Sequence, residues 1–240
     1  MNKLNETLLR NWHAVREQVD EIAVQAGRDP TTIRIVGVTK YGNAAVTRAL
    51  AECGCLDLGE SRPQSLWEKA PLLNDLPVRW HLIGHLQRNK VARTLPLVWM
   101  LHSLDSLRLA ESLSTHALSQ GGSARVLLEV NLGNESAKGG FALDQVEEAL
   151  VRVSALPGIT ICGLMGMASL QSSHECDLDR ARREFASLRT CRDQLCDQGL
   201  PEGCSLDELS MGMSGDFPAA IIEGSTILRI GSRLFEGVEV

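Results

Sequence analysis

Aromatic side chains are scarce in this sequence, which has one tyrosine, four tryptophans and four phenylalanines among 240 residues. The core of a domain of this size must therefore consist mainly of leucine, valine, isoleucine and alanine. Basic residues are not in excess either: 24 lysines and arginines stand against 30 acidic residues, and the formal net charge is −6. Without a basic stripe, nucleic acids and anionic membranes are poor candidate partners.

Paired cysteines and long apolar runs are also lacking. The seven cysteines are an odd number and form no CxxC motif, and the first residues contain no apolar signal-peptide core. No apolar run approaches the roughly 20 residues that cross a bilayer. These absences predict a cytoplasmic protein. Cys53 and Cys55 have no other soft ligands beside them, so we predict no metal site there.

The sequence contains a regular alternation of helical patterns and short apolar runs. A helical pattern over residues 4–26 comes first and stops at Gly27. Eight β-branched runs follow, at residues 33–38, 56–58, 80–84, 98–101, 125–131, 159–164, 206–210 and 227–231. The helical patterns between and after them cover residues 43–53, 63–73, 86–95, 105–119, 142–156, 175–198 and 216–223.

Eight strands alternating with helices predict an α/β fold, a TIM (β/α)₈-type barrel with an extra N-terminal helix. No linker divides the chain, so we predict one domain over residues 1–240. Few residues follow the last predicted strand, and the leading helix is expected to take the place of the missing eighth helix. The alternative is an open sheet of six or seven strands, because the run at 56–58 is weak.

Lys40 directly follows the first predicted strand, IRIVGV. In a parallel barrel, functional groups gather at the carboxyl ends of the strands. An amine delivered there by an apolar strand is expected to meet a low dielectric, which lowers the pKa of a lysine and favours the nucleophilic free base. Such an amine forms a Schiff base with a carbonyl substrate or with pyridoxal phosphate. The alternative is a lysine that ends the strand and reaches solvent.

Small hydroxyl and glycine residues follow the seventh and eighth predicted strands, where barrels often bind phosphate. The segment SMGMSGD contains Ser210, Met211 and Ser214, and the segment RIGS contains Gly231 and Ser232. No GxxxxGK[ST] motif is present. The two segments therefore predict either a phosphate site or ordinary barrel loops.

Arg229 lies within the last predicted strand, where a guanidinium is costly unless it has a partner. One possibility is an ion pair with an inner carboxylate. The other is a contact with a pyridine nitrogen. Because arginine does not give up its proton, that nitrogen would stay unprotonated and the ring would be a poor electron sink.

Two histidines, His81 and His85, lie close together in the third repeat, HLIGH. No further ligand cluster accompanies them. We therefore predict packing or hydrogen-bonding histidines and no metal site.

Taken together, these residues resemble the pyridoxal phosphate homeostasis protein family, which is similar to the N-terminal barrel of alanine racemase. The motifs that carry the resemblance span nearly the whole chain in order: VGVTK at 36–40, LGE at 58–60, WHLIGHLQRNK at 80–90, HSLDS at 102–106, VNLGNESAKGGF at 130–141, GLM at 163–165, LSMGMSGD at 209–216 and LRIGSRLFE at 228–236.

The resemblance implies pyridoxal 5′-phosphate as the cofactor, held by a Schiff base to Lys40. It implies that Arg229 contacts the pyridine nitrogen, that His81 lies near the ring and that Lys138 lies in a loop by the mouth. Phosphate contacts are implied for the following residues: Ser210, Met211, Ser214, Gly231 and Ser232. The stretch after LGE departs from the family's Asn-Tyr pattern, so only Ser61 is carried over from it to the site.

The resemblance further implies a protein that buffers the cofactor, with apo-enzymes as candidate recipients, and without established turnover. An amino-acid racemase is the alternative, but it needs acid–base groups on both faces of the substrate. The only tyrosine, Tyr41, adjoins Lys40, and Val240 closely follows the last strand, so no further β-domain is expected. A weak side activity on amino acids and a Schiff-base aldolase are further possibilities.

Lacking an unpartnered apolar helix face, the chain is expected to be a monomer.

Overall fold

Nine parallel strands form the framework of the computed structural model, which describes residues 3–133, 139–169 and 177–238. The strands are β1 Arg34–Val38, β2 Asp57–Glu60, β3 Arg79–Leu82, β4 Met100–Leu104, β5 Ala124–Asn131, β6 Phe141–Ala142, β7 Ile159–Gly166, β8 Glu208–Met213 and β9 Ile227–Ile230. The α-helices are α1 Lys3–Gln25, α2 Ala44–Glu52, α3 Pro63–Lys69, α4 Val91–Thr94, α5 Leu107–Ser119, α6 Val146–Ser154, α7 Asp177–Gln198 and α8 Phe217–Ile222.

Eight of the strands close into a barrel. Their order is β4-β3-β2-β1-β9-β8-β7-β5, and pairing of β4 with β5 completes the ring. The predicted (β/α)₈-type barrel is thus confirmed, and the alternative of an open sheet is wrong. The two-residue strand β6 was not predicted; it pairs with the end of β5, at Val130 and Asn131.

Side chains of each strand alternate between the barrel interior and the surrounding helices, as the pleat requires. On β1, Ile35 packs outward into the large core under the helices, while Val36 points inward. The inward cluster is small and apolar, and consists of Val36, Met100, Leu127, Cys162, Met165 and Ile227. Polar side chains occupy other positions in the barrel interior.

The leading helix α1 packs against α2, α8 and the 3₁₀ turn Ser232–Phe235. Its buried Asn11 donates from Nδ2 to the carbonyl oxygens of Leu234, at 3.1 Å, and of Glu236, at 2.8 Å. The N-terminal helix therefore fills the position of an eighth barrel helix, as predicted.

Two predicted helices are shorter and less regular than expected. The pattern at 63–73 is an α-helix only to Lys69 and continues as the 3₁₀ turn Ala70–Leu73; the pattern at 86–95 contains only the four-residue helix α4, between 3₁₀ turns Arg88–Lys90 and Leu95–Leu97. Pro71 and Pro96 lie in the first positions of the following turns, where proline cannot donate to a continuing helix. None of the described helices has both the length and the apolar character needed to cross a membrane.

Candidate functional site

Several predicted site residues meet on one arc of the barrel mouth. The strands β2, β1, β9 and β8 are successive neighbours in the sheet. Ser61 follows β2, Lys40 follows β1, Gly231 and Ser232 follow β9, and Ser214 follows β8. Because parallel strands end at the same side of the barrel, these residues share that side.

Lys40 is two residues past the end of β1 and is exposed. Its Nζ lies 4.8 Å from the centre of the ring of Tyr41, whose side chain is also exposed. The expectation of low-dielectric surroundings for this amine is therefore wrong. The strand delivers the amine to the mouth, as predicted, but into open solvent beside one aromatic ring.

A buried ion pair lies beneath Lys40. Lys69 Nζ donates to Glu60 Oε1 at 2.6 Å and to the carbonyl oxygen of Thr39 at 2.8 Å, and Thr39 Oγ1 donates to the same carboxylate oxygen at 2.6 Å. Glu60 and Thr39 are fully buried and Lys69 is 7% exposed. These bonds hold the residue before Lys40 in place. Glu60 belongs to the motif LGE at 58–60, whereas Lys69, on the buried face of α3, was missed by sequence reasoning.

The turns after β8 and β9 are joined by a hydrogen bond, because the backbone N–H of Gly231 donates to Ser214 Oγ at 3.1 Å. Asp216 accepts from the backbone N–H of Met213 at 2.5 Å and closes the first turn. Ser232 is exposed beside them. The two segments predicted to bind phosphate therefore do lie together.

Ser210 and Met211, by contrast, have fully buried side chains within β8. The hydroxyl of Ser210 is used inside the barrel, where it accepts from Arg229 and hydrogen-bonds His102. The side chains of these two residues are therefore not available to a ligand at the mouth.

Arg229 is 3% exposed and points into the barrel. Its Nη1 donates to the carbonyl oxygen and to Oγ of Ser210, both at 2.7 Å, and its Nη2 donates to the carbonyl oxygen of Gly166 at 2.9 Å. Burial lowers the pKa of Arg229 to about 10, against the opposing influence of the nearby carboxylates Asp216 and Glu129. The alternative of a direct ion pair is not found among the described residues.

His81 does not reach the mouth. It is fully buried inside the barrel, with Nε2 2.9 Å from Asp57 Oδ1 and Nδ1 2.8 Å from His102 Nε2. The prediction of a hydrogen-bonding histidine is confirmed, and its implied place near the cofactor ring stays a prediction. His102 was missed because it stands 21 residues away, in the motif HSLDS.

Metal binding is not supported in the part of the chain that the structure describes, where no group of three His, Cys, Asp or Glu side chains could hold an ion. His85 lies at the surface, with Nδ1 2.7 Å from Asp105 Oδ2. Lys138 lies outside the described residues.

The chain matches the family model of the alanine racemase N-terminal domain over residues 11–238. It is 36% identical over 221 residues to the pyridoxal phosphate homeostasis protein of Aquifex aeolicus, covering 92% of this chain and 94% of that protein. It is also 36% identical over 229 residues to the protein of the same name from Pseudomonas aeruginosa, covering 95% of each.

The fold is likewise similar to solved structures. PipY of Synechococcus elongatus, with pyridoxal phosphate bound, matches with a TM-score of 0.81 and 31% identity over 95% of this chain and 99% of that chain. An alanine racemase from Clostridium difficile matches with a TM-score of 0.68 at 16% identity, over 92% of this chain and 56% of the racemase, so that likeness concerns the fold alone.

Proposed function

This chain belongs to the pyridoxal phosphate homeostasis protein family, and from that premise we propose that it binds pyridoxal 5′-phosphate at the barrel mouth and buffers and carries it without catalytic turnover. The observation that carries the proposal is the position of Lys40. Its free, exposed amine stands at the end of β1, next to the strand that bears Arg229 and the joined turns of Ser214 and Gly231.

The donors at the mouth fit such a ligand. Arg229 uses both Nη1 hydrogens and one Nη2 hydrogen on Ser210 and Gly166, which leaves Nε–H and the second Nη2–H without a partner among the described residues. A buried guanidinium with unused N–H groups suits an acceptor such as a pyridine nitrogen. The hydroxyls of Ser214 and Ser232 suit phosphate oxygens, and the bond from the N–H of Gly231 to Ser214 Oγ holds the two turns together there.

Each residue then has a distinct role in holding the cofactor. Lys40 would hold the cofactor through its Nζ, which can condense with the aldehyde of the ligand with loss of one water. Ser214, Gly231 and Ser232 receive the phosphate, and Ser61 borders the site from β2. Ser210 and Met211 lie in β8 below the turn, and Ser210 accepts hydrogen bonds from Arg229. When bound, the cofactor would supply an electron-withdrawing ring. Arg229 would keep that electron withdrawal weak, because arginine does not give up a proton to the ring nitrogen.

The absence of turnover is part of the proposal and is supported by the surroundings of Lys40. Tyr41 lies against Lys40 Nζ and is 64% exposed, so it is poorly placed to act as an acid on the opposite face of a substrate. On this ground we favour neither a racemase nor an aldolase.

We also propose that the protein works in the cytoplasm as a monomer of one domain over residues 1–240 and that apo-enzymes receive the cofactor from it. The six cysteines that the structure describes are all free, which suits a reducing compartment.

The direct test is to incubate the purified protein with pyridoxal phosphate, reduce it with borohydride and map the phosphopyridoxyl adduct by peptide mass spectrometry. We expect the protein to be yellow before reduction and to carry the adduct on Lys40 after it, with no adduct there in Lys40→Arg. Lys90→Ala is the matched control, since Lys90 follows β3 on the same side of the barrel, and it should keep both colour and adduct.

The same samples separate the alternatives. A colourless wild-type protein without adduct would contradict the binding proposal, and an adduct on Lys138 alone would move the site. Sustained racemisation or aldol cleavage of added amino acids by the wild type, abolished in Lys40→Arg, would contradict the absence of turnover.

A further inference from the structure

A continuous chain of buried polar groups, here called the polar column, runs through the barrel interior from Asp57 to Arg229. Asp57 begins β2 at the closed end of the barrel, and Arg229 points towards the mouth. His81, His102 and Ser210 connect them. From Asp57 upward, the successive donor–acceptor distances are 2.9, 2.8, 2.8 and 2.7 Å.

An aromatic ring and three guanidinium groups lie at the Asp57 end of the column. The ring of Trp99 lies against His81, with centroids 5.1 Å apart. The guanidinium groups of Arg34, Arg79 and Arg125 cover this indole, at 5.1, 5.1 and 4.7 Å from its centre. His81, His102 and Ser210 are fully buried, so the hydrogen bonds between them act in a low-dielectric interior, where they are strong.

The protons of the column can be placed from its acid end. Burial would raise the pKa of Asp57, but hydrogen bonds from His81 and Arg79 outweigh it and hold the pKa below its ordinary value. A carboxylate only accepts hydrogen bonds, so His81 Nε2 must carry a hydrogen. Burial lowers the pKa of His81, and that of His102 lies well below its ordinary value for the same reason. Both rings are therefore neutral.

The order of the remaining bonds then follows. A neutral His81 with hydrogen on Nε2 accepts at Nδ1, so His102 donates from Nε2. His102 must in turn accept at Nδ1, and the hydroxyl of Ser210 donates to it. The oxygen of Ser210 is left to accept from Arg229 Nη1, so every bond of the column points towards Asp57.

We propose that His81 and His102 are positioning residues that hold Ser210, and through it the guanidinium of Arg229, in the one orientation that presents its free N–H groups to the ring nitrogen of the bound cofactor. This proposal rests on the proposed binding of pyridoxal phosphate. Neither histidine touches the ligand; each acts by fixing the hydroxyl direction of Ser210.

The proton order is tested on the protein without cofactor, by long-range ¹H–¹⁵N correlation spectra of protein labelled with ¹⁵N-histidine. Between pH 7 and 9 we expect both rings to be neutral, in the tautomer that carries hydrogen on Nε2. The signals of the two rings are assigned from the spectra of His81→Gln and His102→Gln. Hydrogen on Nδ1 of either ring, or a doubly protonated ring, would overturn the assignment. This test holds even if the protein binds no cofactor.

The positioning role is tested with cofactor, in His102→Ala and in the control Met100→Ala. Both residues lie on β4 and are fully buried, and Met100 belongs to the apolar interior cluster outside the column. We expect His102→Ala to weaken retention of pyridoxal phosphate about tenfold. The pH midpoint of the visible absorption band should rise by about one unit, because the guanidinium charge can relax away from the ring.

Met100→Ala leaves a similar cavity and should leave the midpoint unchanged. Equal midpoints in wild type and His102→Ala, or equal shifts in both variants, would overturn the positioning role. If His102→Ala does not fold, Ser210→Ala removes a single hydroxyl and serves the same test, with Ser210→Thr as the rescue. A wild type that binds no pyridoxal phosphate at all would instead contradict the proposed function.

Discussion

At the scale of single residues, the buried pair Glu60–Lys69 shows how one charge beneath the mouth depends on another. Glu60 is fully buried, and its second carboxylate oxygen, Oε2, has no hydrogen-bond partner among the described residues. The ammonium group of Lys69, at 2.6 Å, is thus its one charged partner in the described structure. Such a pair adds little net stability by itself, but removing one member leaves the other charge buried alone.

We therefore expect Lys69→Met to lower the free energy of unfolding by about 3–5 kcal/mol in urea denaturation at neutral pH. Arg152→Met is the control, because it breaks the exposed pair Glu148–Arg152 and should cost much less. Adding Glu60→Leu to Lys69→Met should restore most of the loss. Equal losses in the two single variants would show that Glu60 is not charged or is not desolvated.

At the scale of elements, the packing of α8 against β8 depends on a glycine near the end of that strand. Gly212 has φ +95°, and a Cβ built there would lie 2.5 Å from Ala220 Cβ and 3.1 Å from Phe217 Cα. A side chain at this position is strained and also collides with α8. The close approach keeps the helix against the strand that leads to Ser214.

Gly212→Ala should therefore lower the free energy of unfolding by about 2–3 kcal/mol. Gly215→Ala, three residues later, is the matched control, since its Cβ would meet nothing within 4 Å. Thermal unfolding of the two variants beside the wild type measures the difference. Equal stability of both variants would mean that α8 moves freely relative to β8.

The apolar pattern predicted the eight barrel strands, although it was weak at β2 and missed the short strand β6. The weak run at 56–58 is a true strand, β2, and its weakness has a cause: it begins with Asp57, which points into the polar column, and ends with Glu60, which pairs with Lys69. Polar groups on both faces obscure the apolar pattern of a buried strand. The strand β6 was missed because two residues carry no periodic signal.

At the scale of the whole molecule, the polar column links the stability of the barrel to pH. Burial holds the pKa of His81 and His102 below the ordinary value of 6.5, whereas both regain it in the unfolded chain. Below about pH 6.5 the unfolded state then binds more protons than the folded one, so stability falls as the pH falls, and it is fully present above that value.

We expect the free energy of unfolding to be constant from about pH 7.5 to 8.5 and to fall below pH 6.5 by up to about 1.4 kcal/mol per pH unit for each of the two histidines. Urea denaturation across this range measures the slope. His102→Gln should remove about half of it, while His13→Gln, at an exposed position of α1, should leave it unchanged. A pH-independent stability between pH 5.5 and 7.5 would contradict neutral histidines in the column.

The sequence by itself determined the number of barrel strands, the leading helix and the placement of Lys40, Ser214 and Gly231 at strand ends, because hydrophobic periodicity and turn chemistry are local properties. Only the tertiary structure decided which groups meet inside the barrel. His81 and His102 come together because β3 pairs with β4, and Ser210 meets Arg229 because β8 pairs with β9. Contacts across a closed barrel depend on how its strands are paired and staggered, and no local pattern in the chain records that.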